Sequence, residues 1–364
     1  MSQYCFASIG EIHKAYIDKK LKVRELVLSF LSRIVAIDKC KDGLNSVLEI
    51  NPDALAIAGA LDQRLENGGE FGPLFGIPVL LKDNINTADK LRTSAGSLAL
   101  ADSHAPYDAH LVTRLREAGA IILGKANMTE FANWMSRDGM PSGYSSRGAQ
   151  VLNPYNRSVT PSGSSSGSAV AVAAGLCTVS VGTETSGSIL SPAGHNGIVG
   201  IKPSLGLVGR SGIIPISSTC DTAGSMARSV EDAAVMLGVL AGADPDDTVT
   251  LGHAPEDYAK NLGAASLKGL KIGINRAQKN KDAVLSEECK KGFDRLCALL
   301  KEAGAVLIDH VDIDPAVNAK NILRYEFKAC INYYLSTLRG STKIRNLSNH
   351  SARNPLQNSE NMIL

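Results

Sequence analysis

A surplus of charge of either sign is missing from this chain: 38 Lys and Arg stand against 36 Asp and Glu, a formal net charge of +2 over 364 residues. Nothing in that balance calls for nucleic acid or an anionic membrane as a partner. Paired cysteines are missing too. Cys5, Cys40, Cys177, Cys220, Cys289, Cys297 and Cys330 are odd in number, scattered, and form no Cys-x-x-Cys. That argues against a disulfide framework or a zinc knuckle and leads us to expect a reducing, cytoplasmic setting. The opening Met1-Ser-Gln-Tyr-Cys-Phe has no basic n-region and no long apolar h-region, so no signal peptide is expected. No apolar run approaches the length of a membrane span, and no internal repeat is visible.

What is present is the composition of an ordinary core, 44% apolar and 20% charged. Ile9, Ile12, Tyr16 and Ile17 predict a helix behind a Ser8/Glu11 capping box. Further helices are expected over 23–37, 53–65, 109–118, 166–177, 229–241 and 286–303. Short strands are expected over 44–50, 79–81, 120–123, 178–182, 197–201, 207–209, 270–274 and 306–308. This alternation implies a mostly parallel or mixed sheet covered by helices. Residues 133–163, rich in Gly, Ser, Asn and Pro, read as a long loop, and such a loop is often functional. Residues 1–338 read as one domain, and 339–364 as a polar, loosely held tail.

Three motifs compete for the chemistry. Gly119-x-x-x-x-Gly124-Lys125-Ala126 approaches a phosphate-binding loop, but it lacks the Ser/Thr that would hold magnesium, and its apolar interior reads as a buried strand. Gly163-Ser164-Ser165-Ser166-Gly167 matches the nucleophile elbow of an α/β-hydrolase. An elbow needs a strand directly before it, whereas turn formers and two prolines precede this one; Asp221 and His253 could complete it, but nothing singles them out. The third combines Lys82, at the end of the apolar run Val79–Leu81, with two Gly/Ser-rich turns, 160–168 and 182–189. In isolation a lysine there is usually a solvated strand end, and serines in such turns are usually helix caps.

Taken together and in order, these stretches resemble the amidase signature family. Gly76-Ile-Pro-Val-Leu-Leu-Lys-Asp-Asn84, Thr93-Ser-Ala-Gly-Ser97, Gly124-Lys-Ala-Asn-Met-Thr-Glu-Phe-Ala132, Pro161-Ser-Gly-Ser-Ser-Ser-Gly-Ser168, Gly182-Thr-Glu-Thr-Ser-Gly-Ser-Ile189, Gly200-Ile-Lys-Pro-Ser204 and Met226-Ala-Arg-Ser-Val-Glu-Asp232 span roughly residues 8–330. The stretches 142–155 and 212–217 are closest to the peptide amidases. The resemblance implies an α/β fold with a mixed β-sheet covered by helices on both faces. It also implies a serine amidohydrolase, without metal or cofactor, acting on a carboxamide C–N bond of a small-molecule or peptide amide. Ser188 would be the nucleophile, Ser164 the bridging serine and Lys82 the base. The backbone amides of Thr185, Ser186, Gly187 and Ser188 would form the oxyanion hole. Met128, Trp134 and Tyr144 are expected to line the substrate pocket. No histidine is required, so His195 is expected to be a packed turn residue. Asp221 and Arg228 are expected to form a buried, supporting ion pair.

Such a triad makes a physical demand. A lysine ordinarily titrates near 10.4, and bringing it to about 7 takes roughly 4.6 kcal/mol of differential desolvation. The apolar strand 77–81 supplies that setting, and each oxyanion donor contributes about 3 kcal/mol in the transition state. Ser162, Ser166 and Ser186 stand where the family commonly carries glycine; backbone donors survive that change unless φ must be positive. Family members continue further, and the match fades after about Tyr334. A C-terminal truncation is therefore expected, and with it a catalytically silent amidase-like protein is the alternative.

Overall fold

Local sequence sets the first helix. In α1 (Ile9–Ile17) Ser8 Oγ accepts from the Glu11 amide at 3.2 Å, and the Glu11 carboxylate accepts from the Ser8 amide at 2.8 Å, the reciprocal cap that the spacing predicts. In α2 (Val23–Arg33) Leu26, Val27 and Phe30 are buried, and the chain continues through a wider turn over Ile34–Asp38. The computed structural model describes residues 2–69, 71–136, 139–263, 266–276, 286–311, 319–338 and 342–347.

The strands are β1 (Val47–Ile50), β2 (Pro78–Lys82), β3 (Ile121–Ala126), β4 (Tyr144–Ser145), β5 (Ala149–Gln150), β6 (Val179–Glu184), β7 (Val199–Gly200), β8 (Thr222–Ala227), β9 (Lys271–Ile274) and β10 (Val306–Asp309). The remaining helices are α3 (Ala54–Glu66), α4 (His110–Glu117), α5 (Ser166–Ala173), α6 (Leu190–His195), α7 (Val230–Leu240), α8 (Glu287–Glu302) and α9 (Ala319–Thr337). The sequence reading runs one domain through 1–338. The chain instead divides into two compact units, Met1–Ala259 with Asn321–Leu364, and Lys260–Lys320. The smaller unit holds the parallel pair β9–β10 and the helix α8 between them.

The larger unit is built on a six-stranded mixed sheet in the order β1-β3-β2-β6-β8-β7. β2 runs parallel to β3 and to β6, with Leu81 opposite Lys125 and Val181; β8 runs antiparallel to β6, with Glu184 opposite Thr222. The carboxyl ends of β2 and β6 therefore lie side by side, next to the start of β8. All three strands are buried at every position. Helix α5 can lie close on this sheet because its residues are small. A Cβ at Gly167 would stand 2.3 Å from the carbonyl oxygens of Ser46 and Asn127.

Several elements differ from the sequence reading. β3 runs through Gly124 and Lys125 and does not stop before them. The loop 133–163 contains the small antiparallel pair β4–β5. Residues 207–209 make only an isolated bridge, Val208 to Ala241. β8 was not announced, because Thr-Ala-Gly-Ser-Met-Ala has no alternation to betray it; α6 and α9 were not announced either. Most of the expected tail lies outside the described residues. Within it, residues 342–347 are not loose: Ile344 and Leu347 are buried in the cluster of Leu323, Phe327, Ile331 and Tyr334, and the Leu347 amide donates to Asn332 Oδ1 at 2.8 Å.

Candidate active site

Lys82 ends β2 fully buried. Its Nζ donates to Ser164 Oγ at 2.7 Å, to Thr183 Oγ1 at 2.9 Å and to the Thr183 carbonyl at 3.1 Å. The parallel register explains the last two contacts, since Thr183 follows the β6 residues that pair with β2. Three acceptors suit an ammonium. In the neutral amine one hydroxyl must donate to nitrogen instead, and the Thr183 carbonyl cannot. Burial pulls the Lys82 pKa down to about 7, against the opposing pull of the Asp221 and Glu184 carboxylates.

Ser164 follows a cis peptide from Gly163 and is buried. Its carbonyl accepts from the Thr129 amide at 3.1 Å, and the Ser165 amide donates to the Ser188 carbonyl at 3.2 Å. The two serine turns are thus tied to each other. Ser165 Oγ bonds the Thr183 carbonyl at 3.1 Å and the Thr183 amide at 3.2 Å, so it serves the backbone and is not presented as an elbow nucleophile. Ser188 is half-buried, and among the described residues its hydroxyl has no hydrogen-bond partner.

The turn carrying Ser188 is shaped from both ends. Glu184 accepts the amides of Ile189 at 2.7 Å and Leu190 at 2.9 Å, which closes the loop 185–188 over one carboxylate. Thr185 Oγ1 donates to Asp221 Oδ1 at 2.5 Å, and Asp221 Oδ2 accepts the amides of Ile216 at 2.7 Å and Ser217 at 2.9 Å. Gly187 sits at φ 88, in the left-handed region. The amides of Thr185, Ser186, Gly187 and Ser188 are not engaged by any other described residue. Ser186 has no left-handed φ, whereas Ser162 has φ 58, where glycine is preferred. Ser162 Oγ bonds Ser191 Oγ at 2.7 Å, and its carbonyl accepts from Ser166 Oγ at 2.5 Å.

A cavity of about 450 Å³ opens on these groups. Ser164, Thr183, Thr185, Ser188 and Asn84 give it a polar floor, and Met128, Phe131, Ile214, Ile216, Tyr333 and Tyr334 give it apolar walls. Of the three residues expected to line it, Met128 does so. Trp134 does not: it packs edge-on against Phe327 of α9, ring centroids 6.3 Å apart. Tyr144 does not either, because β4 pairs it with Gln150 in the hairpin. Asp221 and Arg228 do not pair. Asp221 serves the turn described above, and Arg228 donates to the carbonyls of Val172, Cys177 and Ala7. His195 is exposed at the end of α6, its Nδ1 2.9 Å from the Ser191 carbonyl, and is not packed.

Sequence reasoning missed Asn84, which donates to Thr183 Oγ1 at 3.0 Å, and the whole wall contributed by α9. A protein-family model described as Amidase matches residues 25–363. The chain belongs to the amidase signature family. A protein of Arabidopsis thaliana named "Probable amidase" is 42% identical over 96% of this chain and 68% of its own length. A Schizosaccharomyces pombe relative is 41% identical over 84% of this chain, which spans only 52% of that protein. Among solved structures, the native peptide amidase from Stenotrophomonas maltophilia superposes with a TM-score of 0.90 at 43% identity, over 97% of this chain and 72% of that one. The mixed sheet with its helices is the architecture of the solved structures this chain superposes on. No helix among the described residues is long and apolar enough to cross a membrane.

Proposed function

We propose that this amidase-family chain hydrolyses a carboxamide C–N bond through an acyl-enzyme on Ser188. One observation carries the reading: a fully buried lysine with a pKa near 7 stands 2.7 Å from the hydroxyl of Ser164, beside a cavity that Ser188 also lines. Neutral Lys82 takes the Ser164 proton as Ser164 takes that of Ser188, and Ser188 Oγ attacks the amide carbon. The oxyanion forms against the free amides of 185–188. Lys82, now protonated, returns its proton through Ser164 to the leaving nitrogen, so ammonia or an amine departs neutral. Water then enters by the same relay, attacks the acyl carbon and releases the acid and Ser188. Likeness to a peptide amidase favours peptide C-terminal amides as substrates.

Fluorophosphonate labelling tests the assignment. An adduct mapped to Ser188 and lost in Lys82→Ala supports it. A folded sample that takes no label is the silent protein of the alternative reading, and an adduct on Ser165 would reassign the nucleophile.

A further inference from the structure

The charges around the cavity do not balance. Arg210 is the one permanently cationic side chain among its lining residues, and it is already spent. Its Nε and Nη2 donate to Asp247 at 2.7 and 2.8 Å, and its Nη1 donates to the Ser218 carbonyl at 2.5 Å. A substrate carboxylate entering here would find that guanidinium neutralised. Two further carboxylates line the same space. Asp221 lies at the inner end, held by Thr185 and two backbone amides. Asp246 lies exposed; its amide donates to Asp244 Oδ1 at 3.0 Å, and its carboxylate makes no ion pair or hydrogen bond with another described residue. The cavity thus carries the Arg210–Asp247 ion pair, a buried acid, Asp221, that Arg210 and Lys82 also attract, and one exposed acid, Asp246, with no cation against it among the described residues.

We infer that the open end of the cavity selects acyl groups that bear a positive charge away from the scissile carboxamide, with Asp246 as the specificity-determining residue. For a short peptide amide that charge is the free α-ammonium. An acidic group in the same place meets Asp246 without a counter-ion, and a neutral acetyl cap is intermediate. This rests on the proposed function only in taking the cavity as the substrate site. Exposed charges interact weakly, so each step from cation to neutral to anion changes affinity up to about fivefold at low salt, and screening shrinks the difference.

The test uses the Ser188→Ala chain, which binds without turnover. Calorimetric Kd values are measured for one dipeptide amide in three forms: free amino, N-acetyl and N-succinyl. Tightest binding for the ammonium, weakest for the succinate, a spread that narrows in high salt and in Asp246→Asn supports the proposal. Equal or reversed affinities, a spread untouched by Asp246→Asn, or no binding of any form overturns it. Should this order hold while the unmutated chain hydrolyses none of the three, the hydrolase reading fails alone.

Discussion

Two lysines, Lys82 and Lys125, are fully buried on neighbouring parallel strands, and they face different surroundings. Burial pulls both down, Lys82 to about 7 and Lys125 to about 8. Lys125 Nζ donates to the Ile85 carbonyl at 2.5 Å and to Thr93 Oγ1 at 2.8 Å. Around it lie Asp83, Asp89 and Glu49, and Arg147 bonds Glu49 and Ser94. That network closes on itself: Asp83 holds the Ser94 hydroxyl at 2.5 Å and the Gly96 amide at 2.9 Å. Lys82 is also bonded to Thr183, but its third acceptor is the Ser164 hydroxyl, and that serine lines a cavity. Desolvation makes a lysine ammonium acidic enough to lose its proton near neutrality; the neighbour decides what the neutral amine can then take a proton from.

Replacing each lysine by methionine should separate the two. Lys82→Met should lower kcat by about 10²–10⁴, the usual worth of a general base. The intact chain should gain kcat/KM as pH climbs through about 7, where Lys82 becomes neutral. A pH–rate profile of Lys125→Met that keeps this limb supports the contrast, and one that loses it refutes the structural role of Lys125.

Stability should respond in the opposite order. Lys125→Met leaves Asp83 without one of its two cations and should cost about 3 kcal/mol in denaturant unfolding. The Lys82 pKa is lower folded than its ordinary 10.5, so between about 7 and 10.5 the unfolded chain binds more protons. The stability of the intact chain relative to Lys82→Met should therefore rise with pH across that window, and a falling trend would contradict the burial argument.

Asp221→Asn is a smaller perturbation. It removes a charge that holds the Lys82 pKa up, so the acid limb of the profile should move to lower pH, while looser support for Thr185 reduces kcat. A limb that stays in place would show that Asp221 acts only through the turn. Smallest of all, Trp134→Phe and Tyr144→Phe should leave kcat/KM within about twofold, ~0.4 kcal/mol, since neither ring lines the cavity. A larger loss would return them to the substrate wall.

Most of what lies near Lys82, Ser164 and Ser188 is legible along the chain. The run Val79–Leu81 announces a strand and places Lys82 at its end, and the Gly/Ser turns announce close backbone approach at 160–168 and 182–189. Legibility fails where partners are distant in sequence. β8 has no alternation because β6 and β7 flank it and every position is buried. The α9 wall meets the rest of its unit through Tyr334, whose hydroxyl donates to Asn86 Oδ1 at 2.7 Å, and through Glu326, which bonds Ser217 and Thr219. Nothing in residues 319–337 points to either partner. Trp134 and Tyr144 were misplaced for a related reason: position in a loop does not say which way a ring turns.

Residue order alone settled the family, the strand that ends at Lys82 and the two turns that carry Ser164 and Ser188, because these depend on local apolar runs and on glycines and serines a few residues apart. Only the tertiary structure decided that Lys82 reaches Ser164 and not a carboxylate, that Arg210 is closed off by Asp247, and that α9 walls the cavity. Those outcomes depend on strand register and on the packing of segments far apart in the chain, where the energy of a contact is set by burial and distance and not by sequence neighbours.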